Sequence, residues 1–91
     1  MAVMVRIPQP LRGLTGDQST VEGAGPTLSA CIAGLEAAFP GMRDRLMDET
    51  GNLRRFVNLY VNGDDVRFMH GLATALKDGD EVNIVPAVAG G

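Results

Sequence analysis

Phe56-Val57-Asn58-Leu59-Tyr60-Val61-Asn62-Gly63 is the stretch on which the fold turns. Val57, Leu59 and Val61 alternate with Asn58 and Tyr60, the period-2 pattern of a strand with one buried face. Asn62-Gly63 follows at once, and both residue types tolerate positive φ, so the pair predicts a two-residue hairpin turn. Val66-Arg67-Phe68 is then the returning strand.

Toward the C-terminus, Leu72 to Leu76 is long enough for one helical turn, and Asp78-Gly79 marks another turn. Glu81-Val82-Asn83-Ile84-Val85 is the last strand, closed by Pro86. Toward the N-terminus, Asp48 to Asn52 reads as loop and Met42 to Met47 as a short helical turn. Before it, Pro26-Thr27 opens a helix with Thr27 as N-cap. Leu28, Cys31, Ile32, Leu35 and Phe39 share one face of that helix, and Pro40-Gly41 ends it. Val3-Met4-Val5-Arg6-Ile7 is a strand ended by Pro8 and Pro10. Leu11 to Asp17 reads as a hairpin loop, and Ser19 to Glu22 as a second strand. The order is thus two strands, a helix, two strands, a helical turn and a final strand. Strands with one principal helix make an α+β domain. The expected arrangement is a β-grasp: a mixed sheet packed on one main helix.

Ninety-one residues fit one small domain with a thin core. Little room is left for an enclosed active site. No apolar run is long enough to span a bilayer. The first six residues lack a basic region leading into an apolar stretch, so no signal peptide is expected. A single cysteine excludes an internal disulfide and suits a reducing, cytoplasmic setting. The net charge is −3, and the 8 basic residues form no cluster in the sequence, which argues against nucleic-acid binding.

Side-chain chemistry has few footholds. Cys31 lies on the apolar helix face, where a thiol behaves as a small hydrophobe. His70 is the sole histidine, with no cysteine or histidine at ligand spacing, so no metal site is expected. Asp64-Asp65 and Asp78-Gly79-Asp80 suit turns. Arg54-Arg55 reads as a solvated pair. No phosphate-binding glycine loop or nucleophile elbow is present. The residues give the chain no means of being an enzyme by itself.

The ending is another matter. Pro86-Ala87-Val88-Ala89-Gly90-Gly91 closes the sequence directly after the last strand. With 12 glycines in 91 residues, a Gly-Gly ending arises by chance roughly 1–2% of the time. A chain-end carboxylate can be activated by ATP as an acyl-adenylate, and sulfide can then displace AMP to leave a thiocarboxylate. Glycine leaves that carbonyl unhindered and lets the chain thread a narrow channel. Residues 87–91 span at most about 16–18 Å, enough to enter a partner's cleft. The division expected is therefore a domain over 1–86 and a flexible Gly-Gly tail over 87–91.

Arg55 to Asn62, Asp65 to Phe68, Gly71 to Leu76, Asp78-Gly79-Asp80 and the Pro86–Gly91 ending together resemble the MoaD/ThiS family of ubiquitin-like sulfur carriers. Gly25 to Leu28 and Leu46 to Asp48 fit as well, so the resemblance covers essentially the whole chain. The ending and the length are most similar to the branch that serves thiocarboxylate-dependent cysteine biosynthesis. The resemblance implies the ubiquitin-like form of the β-grasp fold. It also implies that a ubiquitin-activating-like enzyme spends ATP to adenylate Gly91 and install sulfur. A pyridoxal-phosphate cysteine synthase would then take the tail, adding the sulfur to the aminoacrylate made from phosphoserine. A zinc peptidase would release cysteine. No cofactor would be bound by this chain. Gly91 would carry the sulfur, Gly90 would give access, and Pro86, Ala87, Val88 and Ala89 would be read by the partner.

Three other readings share the Gly-Gly chemistry. The carrier could feed a secondary metabolite such as a thiosugar. It could be a protein modifier, with Lys77 as the single lysine available for chains. It could be the small subunit of molybdopterin synthase.

Overall fold

The computed structural model describes residues 2–86. Five strands form one sheet: β1 (Val3–Arg6), β2 (Thr20–Gly23), β3 (Val57–Val61), β4 (Asp64–Asp65) and β5 (Glu81–Pro86). Two helices, α1 (Leu28–Ala38) and α2 (Met42–Leu46), lie between β2 and β3. The strand order is β2-β1-β5-β3-β4. β1 and β5 run parallel and every other neighbouring pair antiparallel, so the sheet is mixed. This is the expected β-grasp.

Alternation puts Val3, Val5, Val57, Leu59, Val61, Val82 and Ile84 on the buried face of the sheet. Leu28, Cys31, Ile32 and Leu35 of α1 belong to the same core. Removing a side chain of this kind from water contributes about 1.5–3 kcal/mol each. The opposite face carries Arg6, Thr20, Asn83, Tyr60 and Asp65, which the register aligns in one row across all five strands.

Helix α1 begins as its sequence predicts. The Thr27 hydroxyl accepts from the Ala30 amide at 3.2 Å. The next orphan donor, the Leu28 amide, is taken by the Thr74 carbonyl at 2.9 Å. Gly25 precedes the helix at φ +147°, and a Cβ there would lie 2.8 Å from the Ala30 Cβ and 2.9 Å from the Cys31 nitrogen. Any larger residue would push β2 away from α1. At the far end, the Glu36 carboxylate accepts from the amides of Gly41 and Arg43, closing the corner into α2.

The Asn62-Gly63 hairpin has φ of 53° and 90°, both positive as the two-residue turn requires. Asn62 does more than turn the chain. Its side chain donates to Asp80 Oδ1 at 3.0 Å and accepts from the Glu81 amide at 3.0 Å. The hairpin is thereby tied to the start of β5. Asp80 is only 6% exposed. The hydrogen bond from Asn62, followed by the one from the Lys77 amide, holds its carboxyl below the usual carboxylate range. A depressed carboxyl stabilises the fold above its unfolded pKa of about 4, and that contribution disappears as pH falls through the folded value. Asp80→Asn is therefore expected to lower the urea midpoint at pH 7 and to differ less from wild type near pH 2. Equal gaps at both pH values would contradict this.

Three expectations change. Val66-Arg67-Phe68 is a 3₁₀ turn and not a returning strand. The Asp65 carboxylate accepts from the Arg67 amide at 2.8 Å, which curls the chain after two ladder residues. In the 72–76 segment, only Leu72 and Ala73 are helical, as part of a 3₁₀ turn over Gly71–Ala73. Thr74 to Leu76 runs extended across the start of α1, with Ala75 bridged to Thr27. A 3₁₀ helix, Gln9–Leu14, anchored by buried Leu11, occupies the first part of the expected 11–17 loop, and the chain turns over residues 15–17, with positive φ at Gly16 and Asp17. No helix of the described residues is long and apolar enough to cross a membrane.

Candidate functional site

The Gly-Gly ending follows the end of β5 in the sequence. β5 is the middle strand, held on one side by β1 and on the other by β3. Val82 and Ile84 anchor it from beneath, 2% exposed each. Pro86 is its last residue, paired opposite Val57. Pro86, the last described residue, thus ends the middle strand of the sheet. Ala87, Val88, Ala89, Gly90 and Gly91, and with them the tail over 87–91, lie outside the described residues.

Next to Pro86 is an open cleft of about 470 Å³. Asn83 to Pro86 line one side, Arg6 to Pro8 another, and Arg12, Ser19 and Thr20 the rest. The Arg6 guanidinium bonds Glu81 at 2.9 Å. Arg12 donates its Nε–H to the Ile7 carbonyl at 3.1 Å. The sequence showed no basic cluster. The fold makes a small one, because the loop after β1 returns Arg12 to the end of that strand. Neither residue was singled out from the sequence, where five positions and two prolines separate them.

Cys31 is 1% exposed in the core. Burial pushes its thiol pKa up, with a smaller opposing effect from a hydrogen bond with the Ala24 backbone, so the reactive thiolate is disfavoured. His70 precedes the Gly71–Ala73 turn, where its amide donates to the Thr74 hydroxyl at 3.3 Å. Among the described residues no group of three His, Cys, Asp or Glu side chains is placed to hold a metal ion. Arg67 donates to the carbonyls of Val57 and Arg54 and to Asn58, a bracing role invisible in the sequence.

The ThiS family model matches residues 5–91, nearly the whole chain and through its last glycine. The chain belongs to the ThiS family.

Within that family, the chain is 57% identical to the sulfur carrier protein CysO of Mycobacterium tuberculosis, with both sequences covered completely. The crystal structure of that CysO superposes with a TM-score of 0.91, covering 94% of this chain and 99% of that one. The CysO chain in the BexX/CysO complex of Amycolatopsis orientalis gives 0.93 at 48% identity, covering 99% and 100%. The chain is also 42% identical over 65 residues to small archaeal modifier protein 3 of Haloferax volcanii, covering 71% of this chain and 70% of that one.

Cys31→Ala removes one buried heavy atom, which is expected to cost about 0.5–1.5 kcal/mol, the range for a small core deletion. Sulfur loading should continue at the wild-type rate. A folded Cys31→Ala protein that accepts no sulfur would place the chemistry on the thiol.

Proposed function

We propose that the chain carries sulfur as a thiocarboxylate on Gly91 and delivers it for cysteine biosynthesis. The chain is a sulfur carrier of the CysO type and not an enzyme. The observation that supports this most is the 57% identity to CysO over the full length of both proteins.

The chemistry follows from a glycine carboxylate. One of its oxygens attacks the α-phosphorus of ATP in an activating enzyme, and pyrophosphate leaves. Hydrosulfide attacks the carbonyl carbon of the adenylate, the carbon–oxygen bond to AMP breaks, and a thiocarboxylate remains. ATP is consumed by the enzyme, and this chain binds no cofactor. The thiocarboxylate sulfur then adds to the β-carbon of an aminoacrylate held by a pyridoxal-phosphate synthase. The resulting thioester shifts to the cysteine nitrogen as an amide. A zinc peptidase hydrolyses that amide, freeing cysteine and restoring the Gly91 carboxylate. Ala87 to Gly90 provide a slim approach, and Pro86 fixes its starting point. These steps belong to a reducing cytoplasm.

Mixing the thiocarboxylate form with such a synthase and phosphoserine tests the destination. The expected product is the carrier with one cysteine added to its C-terminal peptide. A carrier that loads sulfur but never acquires cysteine would point to another acceptor, such as a secondary-metabolite enzyme. The likeness to small archaeal modifier protein 3 favours a second reading, attachment to lysines. Conjugates that survive a denaturing gel would support it.

A further inference from the structure

The cleft beside Pro86 has a sign as well as a shape. Of the residues that line it, Arg6 and Arg12 are charged and none is acidic. With Arg6 paired to Glu81, the positive charge of the concavity rests on Arg12, in a chain of net charge −3. Arg12 is half-buried and anchored through Nε on the Ile7 carbonyl. Its two terminal nitrogens have no bonded partner among the described residues. An arginine held by its Nε keeps its fork pre-organised for a carboxylate. The position matters equally. Pro86, the last described residue, lines the cleft, so a partner that takes the residues following it in sequence would bring its rim close to Arg12.

We propose that Arg12 is a docking residue, taking an aspartate or glutamate side chain at the mouth of the activating enzyme's tail channel. The activating enzyme is the occupant because each fate of a Gly-Gly tail, carrier or modifier, begins with adenylation. The proposal rests on the function proposed above only for the identity of that partner. Arg12 contributes to docking and to encounter rate, not to the chemical step. Thr20 and Asn83 flank the cleft and exclude competing charge without supplying any.

The test titrates the ATP-dependent activating enzyme of the same organism with wild-type and variant carriers, reading Kd directly and sulfur gain by mass. Arg12→Glu is expected to weaken binding about tenfold or more, with saturated loading little changed. Thr20→Glu, which leaves the Arg12–Ile7 bond intact, should weaken it in the same direction. This protects the result against a local disturbance of the 9–14 loop. Arg12→Lys, which keeps charge but loses the fork, should fall between. Lys77→Glu makes the same change of charge beyond the opposite end of β5 and should stay within about twofold of wild type. Added salt should weaken the wild type more than Arg12→Glu. Wild-type binding by Arg12→Glu, or equal weakening by Lys77→Glu, would overturn the proposal. A wild-type carrier that binds but gains no sulfur would overturn the terminal chemistry, while the Kd values would still decide the role of Arg12.

Discussion

A chain lacking Gly91 is expected to gain no sulfur above background while unfolding as the wild type does. The deletion leaves Gly90 with a free carboxylate, so a reactive group of the right kind is still present. What changes is its reach, shortened by about 3.3–3.6 Å. A misplacement of about 1 Å at a reacting centre already costs on the order of 10²-fold. The loss should therefore exceed that figure. A C-terminal tag should act by a different route, converting the carboxylate into an amide that cannot attack ATP. Neither change touches β5 or its partners, so thermal unfolding should be unaltered. Circular dichroism and intact mass on the same samples check both halves. A truncated chain that loads normally would contradict a terminal mechanism.

The largest effect on stability is expected from Leu59→Ala. Leu59 is 1% exposed in β3 and pairs with Ile84 of β5. Its truncation leaves a cavity beneath the two longest-paired strands, at a cost of about 2–5 kcal/mol. For a domain of this size each kcal/mol moves Tm by about 4–8 °C. The variant should melt at least about 8 °C lower. It also loosens the strand that ends at Pro86, so loading should fall more steeply with temperature than in the wild type. A Tm within about 2 °C of wild type would mean that the core repacks around the gap, contrary to the usual close packing.

The sequence disclosed the fold where local chemistry and tertiary packing agree. Thr27 caps a helix because its side chain reaches an amide three residues on. Asn62-Gly63 turns a hairpin because both residues accept positive φ. Val57, Leu59 and Val61 alternate because one face of the sheet is buried. The misreadings fall where a contact distant in sequence, or a side chain competing with the ladder, decides the outcome. Asp65 curls Val66–Phe68 away from strand geometry through one carboxylate hydrogen bond. Thr74 to Leu76 are drawn straight by Pro26 and Leu28 on another element. The Gly-Gly ending was legible from composition and position alone. The cleft was not, because Arg6 and Arg12 come to line one concavity only after the chain following β1 doubles back. Net charge and spacing contain no trace of that arrangement, and only the packed loop shows it.

The account stands or falls on where sulfur is held. The measurement is the intact mass of the wild-type chain and of Cys31→Ala after incubation with the activating enzyme, ATP and sulfide, followed by mapping of the C-terminal peptide. The account predicts that both proteins gain the difference between one sulfur and one oxygen, located on Gly91. No gain under conditions where a control carrier is loaded, or a gain that disappears in Cys31→Ala, would contradict it.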